Sequence, residues 1–232
     1  MDQAVASQMS WYTGNLPRVP LKEVLPATQQ VDVQVPRAFD RTGGTSITAE
    51  EACHLGAIAK CRRVKLALEI GTWDGNSALL LAANIVPAGT VVTVDLPPDF
   101  DLARDSPTLG HVTPKLNLTP RELLARQYRS HPLAAQVRQV YGDSAVIDWA
   151  TLGGPFDLIF IDGCHTEAYV RSDSRNALGQ LAAGGVILWH DYGAIADVSR
   201  VVDDIAREDN GLRVHALEGT RFALGIKQME DS

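Results

Sequence analysis

The chain predicts an α/β fold: a doubly wound, mostly parallel sheet with helices on both faces, finished by an antiparallel C-terminal hairpin strand. Three observations predict it. From Val64 onward, short β-branched and aliphatic runs alternate with segments of helical period. Glycine and proline punctuate the junctions, as at Pro87-Ala88-Gly89 and Ala183-Gly184-Gly185. Glu218-Gly219-Thr220 parts two final strand-like runs at hairpin spacing. Strands that alternate with helices pair in parallel, because each crossover helix returns the chain to the same edge of the sheet.

Residues 1–45 stand apart, with Pro17, Pro20, Pro26 and Pro36, no sustained period, and an aromatic run, Trp11-Tyr12-Thr13-Gly14, expected to dock on a neighbouring surface. We read them as an N-terminal arm, either a lid or a dimer contact or a loosely held tail, and residues 46–232 as the folded domain. Thr48-Ala49-Glu50-Glu51 is a capping box opening a helix to residue 61. Residues 64–70 form a strand, followed by a glycine-bearing turn and a helix over 76–85. The strand over 91–94 ends at Asp95. Residues 96–118, rich in proline, form a long functional or mobile loop. A helix over 119–130 carries Pro120 in its first turn. Then come a strand over 137–141, a short helix over 144–150, and a strand over 156–161 ending at Asp162. A helix over 167–181, a strand over 186–189 ending at His190-Asp191, and a helix over 195–208 complete the alternation. Residues 212–217 and 221–226 form the hairpin.

With 45% hydrophobic and 21% charged residues over 232 positions, the chain can bury a full core without disulfides or metal staples. A net charge of -7, with its basic residues scattered, argues against a nucleic-acid backbone as the main partner. Cys53, Cys61 and Cys164 lack C-x-x-C spacing, which argues against a disulfide framework or structural zinc. Met1-Asp2-Gln3-Ala4 has neither a basic nor an apolar region of a signal peptide, and no apolar run approaches the roughly 18 residues of a membrane span. The expected location is the cytoplasm, with no membrane partner.

In open parallel sheets, ligands bind beyond the carboxyl ends of the strands. The first strand ends Leu68-Glu69-Ile70-Gly71-Thr72-Trp73-Asp74-Gly75. Glycines at 71 and 75 permit a sharp turn and close backbone approach to a ligand. Asp95, ending the second strand, is placed to accept hydrogen bonds from two ribose hydroxyls. The arrangement is Rossmann-like, yet the spacing is G-x-x-x-G rather than G-x-G-x-x-G. Glu69, just before the turn, would repel a pyrophosphate and suit the cationic end of a ligand.

Four segments, Glu69-x-Gly71-x-x-x-Gly75, Val94-Asp95, Gly142-Asp143-Ser144 and Phe160-Ile161-Asp162-Gly163, resemble class I S-adenosylmethionine-dependent methyltransferases, over about residues 48–227. The resemblance implies S-adenosylmethionine as cofactor. Glu69, Gly71, Thr72 and Gly75 would border its methionine part, Asp95 its ribose, and Asp143 with Ser144 its adenine edge. Asp162 would also face it, and Trp73 would pack on cofactor or substrate. Ser144 also suits a helix N-cap, and the two roles can coexist.

The tips Asp162-Gly163-Cys164-His165 and His190-Asp191-Tyr192 should converge on neighbouring strands. They are similar to the small-molecule O-methyltransferases of the catechol and caffeoyl-CoA type and their antibiotic-tailoring relatives. That likeness implies a divalent cation (magnesium, manganese or iron) on Asp162, His190 and Asp191, with Asp162 and His165 as catalytic residues and His165 as base. His190 replaces an expected carboxylate, so the set suits manganese, iron or zinc better than magnesium. Cys164 stands at a position often acidic in that family. His165 replaces lysine, and its ordinary pKa suits general-base work near neutral pH. A metal-free site using His165, and one working by proximity alone, are the competing readings. Tyr169, Arg171 and Asp173 read as a packed or solvated helix face, Tyr192 as pocket lining or core. His54, His111, His131 and His215 have no site spacing.

The function expected is methyl transfer to an oxygen of a small molecule, such as a sugar or polyketide-type metabolite, entering between the arm and loop 96–118. Two alternatives stand beside it. One is a methyltransferase-like protein that binds cofactor without transferring methyl. The other is a nicotinamide-dependent oxidoreductase, which explains Asp95 but not the glycine spacing, Glu69 or the hairpin. The arm would support a homodimer or higher homo-oligomer.

Overall fold

The computed structural model describes residues 13–37, 47–100, 125, 127–208 and 211–229. Among them, one sheet contains β1 (Arg18–Val19), β2 (Leu66–Ile70), β3 (Thr90–Asp95), β4 (Val137–Tyr141), β5 (Phe156–Ile161), β6 (Leu181–Trp189), β7 (Leu212–Leu217) and β8 (Ala223–Lys227). The order is β1-β7-β8-β6-β5-β2-β3-β4. Strands β6 through β4 are parallel, and β8 runs antiparallel between β6 and β7. The doubly wound, mostly parallel sheet with an antiparallel hairpin strand is therefore as expected. The helices are α1 (Leu21–Val24), α2 (Ala49–Cys61), α3 (Asn76–Asn84), α4 (Glu167–Gln180) and α5 (Ala196–Glu208). No helix among the described residues is long and apolar enough to cross a membrane.

The central strands read as apolar runs because both their faces are covered. Ala67, Val91 and Leu158 pack with Leu55, Ile58, Leu79 and Leu80 of α2 and α3. Leu68, Val92 and Ile159 face the other way, towards Val170, Ala177, Val198 and Val202 of α4 and α5. Helix α2 opens at the expected capping box: the Glu51 amide donates to Thr48 Oγ1 at 3.1 Å, and the Thr48 amide to Glu51 Oε2 at 2.7 Å.

Three boundaries differ from expectation, two of them because a side chain captured a backbone group. Strand β8 begins at Ala223 rather than 221, since the Arg221 amide donates to Glu51 Oε1 at 2.8 Å and leaves the ladder. The short helix expected over 144–150 is a turn on Asp143 and a separate 3-10 helix, Trp149–Leu152. Two carboxylates divide it: Asp143 Oδ1 takes the Ala145 amide and Asp148 Oδ1 the Ala150 amide. Strand β6 begins at Leu181, where Leu181 already pairs with Phe156 ahead of a register shift.

The first strand lies where no strand was expected: Arg18 and Val19 pair in parallel with Ala216 and Leu217, extending the sheet beyond the hairpin. Residues 13–37 are tied down elsewhere too. Leu21 is buried, and Gln34 exchanges backbone hydrogen bonds with the Asn84 amide side chain. Trp11, Tyr12 and most of the expected loop 96–118 and helix 119–130 lie outside the described residues.

Candidate active site

Backbone hydrogen bonds hold the strand tips in a row. Gly71 N–H donates to Val94 O, Asp162 N–H to Ile70 O, His190 N–H to Ile161 O and Gly142 N–H to Asp95 O, all at 2.9–3.0 Å. Gly71 has φ 97°, and a Cβ there would stand 2.1 Å from the Asp162 carbonyl oxygen. Glycine is therefore needed to let two strand tips close, in addition to any approach by ligand. Gly75, at φ 83°, opens α3, and the Tyr128 ring occupies the space its side chain would take. The Trp73 amide donates to Asp95 Oδ2 at 2.9 Å and the Leu96 amide to Oδ1 at 2.8 Å. Burial pushes the Asp95 carboxyl up, against these amides and that of Thr72.

Glu69 is fully buried, on the α2–α3 side of the sheet. It shares a cross-strand row with Thr93 and Gln139. A directional chain ends on it. Tyr128 OH donates to Gln139 Oε1 (2.6 Å), Gln139 Nε2 to Thr72 Oγ1 (3.0 Å), and Thr93 Oγ1 to Glu69 Oε2 (2.5 Å). Thr72 and Thr93 hydroxyls meet at 2.7 Å, and since the Thr93 proton goes to Glu69, Thr72 is the donor. Glu69 Oε1 has no hydrogen-bond partner among the described residues. Burial, opposed by Ser77 and Thr93 and reinforced by Asp162 and Asp95, lifts this carboxyl to about 8.

At the adenine-edge position, Asp143 is buried and accepts Tyr169 OH at 3.1 Å. Ser144 is buried beside it, and its carbonyl takes the Trp149 indole N–H. Asp173, one turn past Tyr169, is fully buried with neither oxygen in a hydrogen bond; burial and the Asp143 charge lift it to about 7, against Ser144. So Tyr169 and Asp173 form a packed face, whereas Arg171 pairs with Glu167 and Asp204 on an outer one.

The tips of β5 and β6 do converge. His165 Nε2 stands 3.0 Å from Asp191 Oδ2 and 3.6 Å from Asp162 Oδ1. Candidate ligand atoms of Asp162, His165 and Asp191 all lie within 4.8 Å of one another. His165 Nε2 is nonetheless buried without a well-aligned hydrogen bond, although both acids stand close to it. Burial alone would lower the His165 pKa, but the carboxylates overcome it and raise it to about 9. His190 sits behind this set, 1% exposed at its side chain. Its Nδ1 meets Asp162 Oδ1 at 2.9 Å and its Nε2 meets Glu51 Oε2 at 3.4 Å. The same acids outweigh burial and raise it to about 10. Asp191 is held at φ 57°, a left-handed conformation uncommon outside glycine.

Tyr192 belongs to the core, not to an acceptor pocket. Its hydroxyl donates to Asp203 Oδ1 at 2.6 Å and accepts the Leu16 amide at 2.8 Å, fastening the arm to the Asp191 loop. Glu51 and Arg221 were not anticipated at the site. The capping box gave Glu51 a sufficient local explanation, and nothing in the hairpin marks Arg221, some 170 residues away.

A family model described as a methyltransferase domain matches residues 68–192, from β2 through the Asp191 loop. No curated protein matches the sequence. Among solved structures, cofactor-bound Rv0187 from MTB is similar at 24% identity and TM-score 0.59, over 90% of each chain. The O-methyltransferase TomG from Streptomyces achromogenes, involved in tomaymycin synthesis and solved with S-adenosylmethionine, has 19% identity and TM-score 0.56 over 97% of this chain and 95% of its own. An O-methyltransferase from Bacillus cereus, in complex with the demethylated cofactor, has 18% identity and TM-score 0.57 over 98% and 96%.

Proposed function

Because the chain belongs to the methyltransferase-domain family, we propose that it moves the methyl group of S-adenosylmethionine to an oxygen of a small-molecule acceptor, with a divalent cation held at Asp162 and Asp191. The observation that carries this reading is the convergence of Asp162, His165 and Asp191, whose ligand atoms lie within 4.8 Å of one another while the buried His165 Nε2 has no well-aligned hydrogen bond to either acid. Two acids that converge across an imidazole form an oxygen donor pair for a cation, and carboxylate oxygens suit manganese or magnesium, with the imidazole left as base. A bound cation would lower the pKa of an acceptor hydroxyl as it does that of water.

The protein's own groups then divide the work. Asp95 takes the ribose, Asp143 and Ser144 the adenine edge, and the turn from Gly71 to Gly75 the methionine part, with Trp73 beside it. Glu69, protonated near neutrality in the chain alone, would ionise against the cofactor's cationic end and so supply negative charge beneath that turn. Of the two histidines, only His165, with 41% of its side chain exposed, can meet an acceptor. The neighbouring acids keep it protonated near neutrality; with those acids engaged by a cation, the ring would release that proton to solvent and could then take the acceptor's proton. Acceptor access between the arm and loop 96–118 goes with this reading, as does self-association through the arm. The free thiols of Cys53, Cys61 and Cys164 favour a reducing cytoplasm.

The test is labelled methyl transfer to a panel of phenolic and sugar acceptors, with manganese and with chelator. Product should need the metal and vanish in Asp162→Asn and Asp191→Asn. His165→Gln should keep manganese affinity while losing turnover; a loss of that affinity would make the imidazole a ligand instead. Silence with every acceptor, despite measurable cofactor uptake, would return the chain to the reading in which it binds without transferring.

A further inference from the structure

Six side chains close a ring around the convergent strand tips, alternating acid and base. Glu51 Oε1 accepts Arg221 Nε at 3.0 Å and Glu51 Oε2 accepts Nη2 at 2.9 Å. Arg221 Nη1 donates to Asp191 Oδ1 at 2.8 Å. Asp191 Oδ2 faces His165, His165 faces Asp162, Asp162 Oδ1 meets His190 Nδ1, and His190 Nε2 returns to Glu51 Oε2. The residues come from α2, the tips of β5 and β6, and the loop before β8.

We propose that Arg221 and Glu51 are positioning residues for the Asp162–His165–Asp191 cluster, Arg221 by occupying one oxygen of Asp191 so that only the other faces the cluster. This rests on the metal-assisted reading above. Arg221 grips the Asp191 loop twice, since its carbonyl also accepts the Tyr192 amide at 2.9 Å. That double hold explains how Asp191 keeps its left-handed backbone. The guanidinium fork is itself fixed, because Glu51 takes two of its N–H groups and its backbone N–H as well. Glu51 is pinned in turn by Thr48 at the start of α2. His190 transmits the same anchor to Asp162. Its ring packs against Phe160 and Phe222, which limits the tilt of the ring plane. Partners of this kind, one step behind the ligands, orient them and set their affinity.

Charge and geometry predict opposite signs, which makes the idea testable. A cation near an acid pair repels an incoming metal, so if Arg221 were only a charge, removing it would tighten metal binding. If it positions Asp191, removing it weakens binding despite the relief of repulsion. The experiment titrates manganese(II) into the full chain by electron paramagnetic resonance, with S-adenosylmethionine affinity measured separately by calorimetry. Arg221→Met and Glu51→Gln are expected to weaken manganese by about 10- to 100-fold, with cofactor affinity unchanged. Arg221→Lys keeps the charge but loses the fork, and should fall several-fold; it carries the test if Arg221→Met does not fold. Tighter binding in Arg221→Met, or wild-type affinity in Arg221→Lys, overturns the proposal while leaving the metal site intact. Absence of manganese binding by the wild-type chain overturns the metal-assisted reading itself, and the inference with it.

Discussion

Replacing Glu69 by Gln should flatten a loss of stability that this carboxyl imposes as pH rises from 5 to 7. In the folded chain burial lifts its pKa to about 8, against an ordinary value of 4.5. Between those values the folded state keeps a proton that the unfolded state releases. The group's contribution is thus complete below about pH 4.5 and is lost as pH climbs towards 8, at about 1.4 kcal/mol per pH unit for one proton. From pH 5 to 7 the folded carboxyl stays mostly protonated while the unfolded one ionises, so the loss comes to about 2–3 kcal/mol. For a domain of this size that is roughly 5–10 °C of melting temperature. The glutamine variant has the same shape and no titration, so the difference between the two chains isolates Glu69 from every other ionisable group. Urea unfolding at pH 5, 6 and 7 measures it: the wild-type free energy should drop relative to Glu69→Gln by that amount. Saturating S-adenosylmethionine should shrink the drop, since a cationic ligand end near the turn favours the ionised carboxylate. Parallel curves for the two chains across this range would refute the reasoning.

Gly71→Ala should lower the melting temperature by roughly 5–20 °C, from about 1–2 kcal/mol of left-handed strain and about 1–3 kcal/mol of overpacking against the Asp162 carbonyl; an unchanged calorimetric transition would contradict this. Tyr192→Phe strips Asp203 of a donor and Leu16 N–H of its acceptor, which should cost about 1–3 kcal/mol and speed hydrogen exchange at Leu16, with protection at that amide as the check. His190, raised from 6.5 to about 10, stabilises the fold fully below its ordinary value and progressively less as pH rises through 10. A His190→Asn chain should therefore lose stability less steeply between pH 7 and 10, and equal slopes in denaturant titrations would count against the buried pairing.

The sheet was legible because its central strands are buried on both faces and so carry unbroken apolar runs, and because glycine, proline and a capping box mark the junctions. The capping box also shows the limit of local reading. Thr48 and Glu51 do cap α2, and that role concealed Glu51's second one as the anchor of His190 and Arg221. The arm's strand escaped notice because Arg18 and Val19 alone have no period. Their pairing is decided by the exposed edge of β7, not by their own propensity. Likewise Asp162, His165 and Asp191 were named from their places at strand ends. Which histidine faces the open cluster and which one lies behind it depends on Glu51 reaching across from another helix.

Sequence by itself determined which elements exist, which residues stand at their carboxyl ends, and therefore which groups could meet a cofactor, since these follow from periodicity, turn chemistry and strand direction over a few neighbouring residues. Only the tertiary structure decided the partners: that Gly71 makes room for Asp162, that Glu69 lies buried at the end of a hydrogen-bonded chain, and that Arg221 pairs with Asp191. Those outcomes depend on burial and on contacts between groups far apart in the chain, where removal from water turns a pair of charges from a weak preference into a fixed geometry.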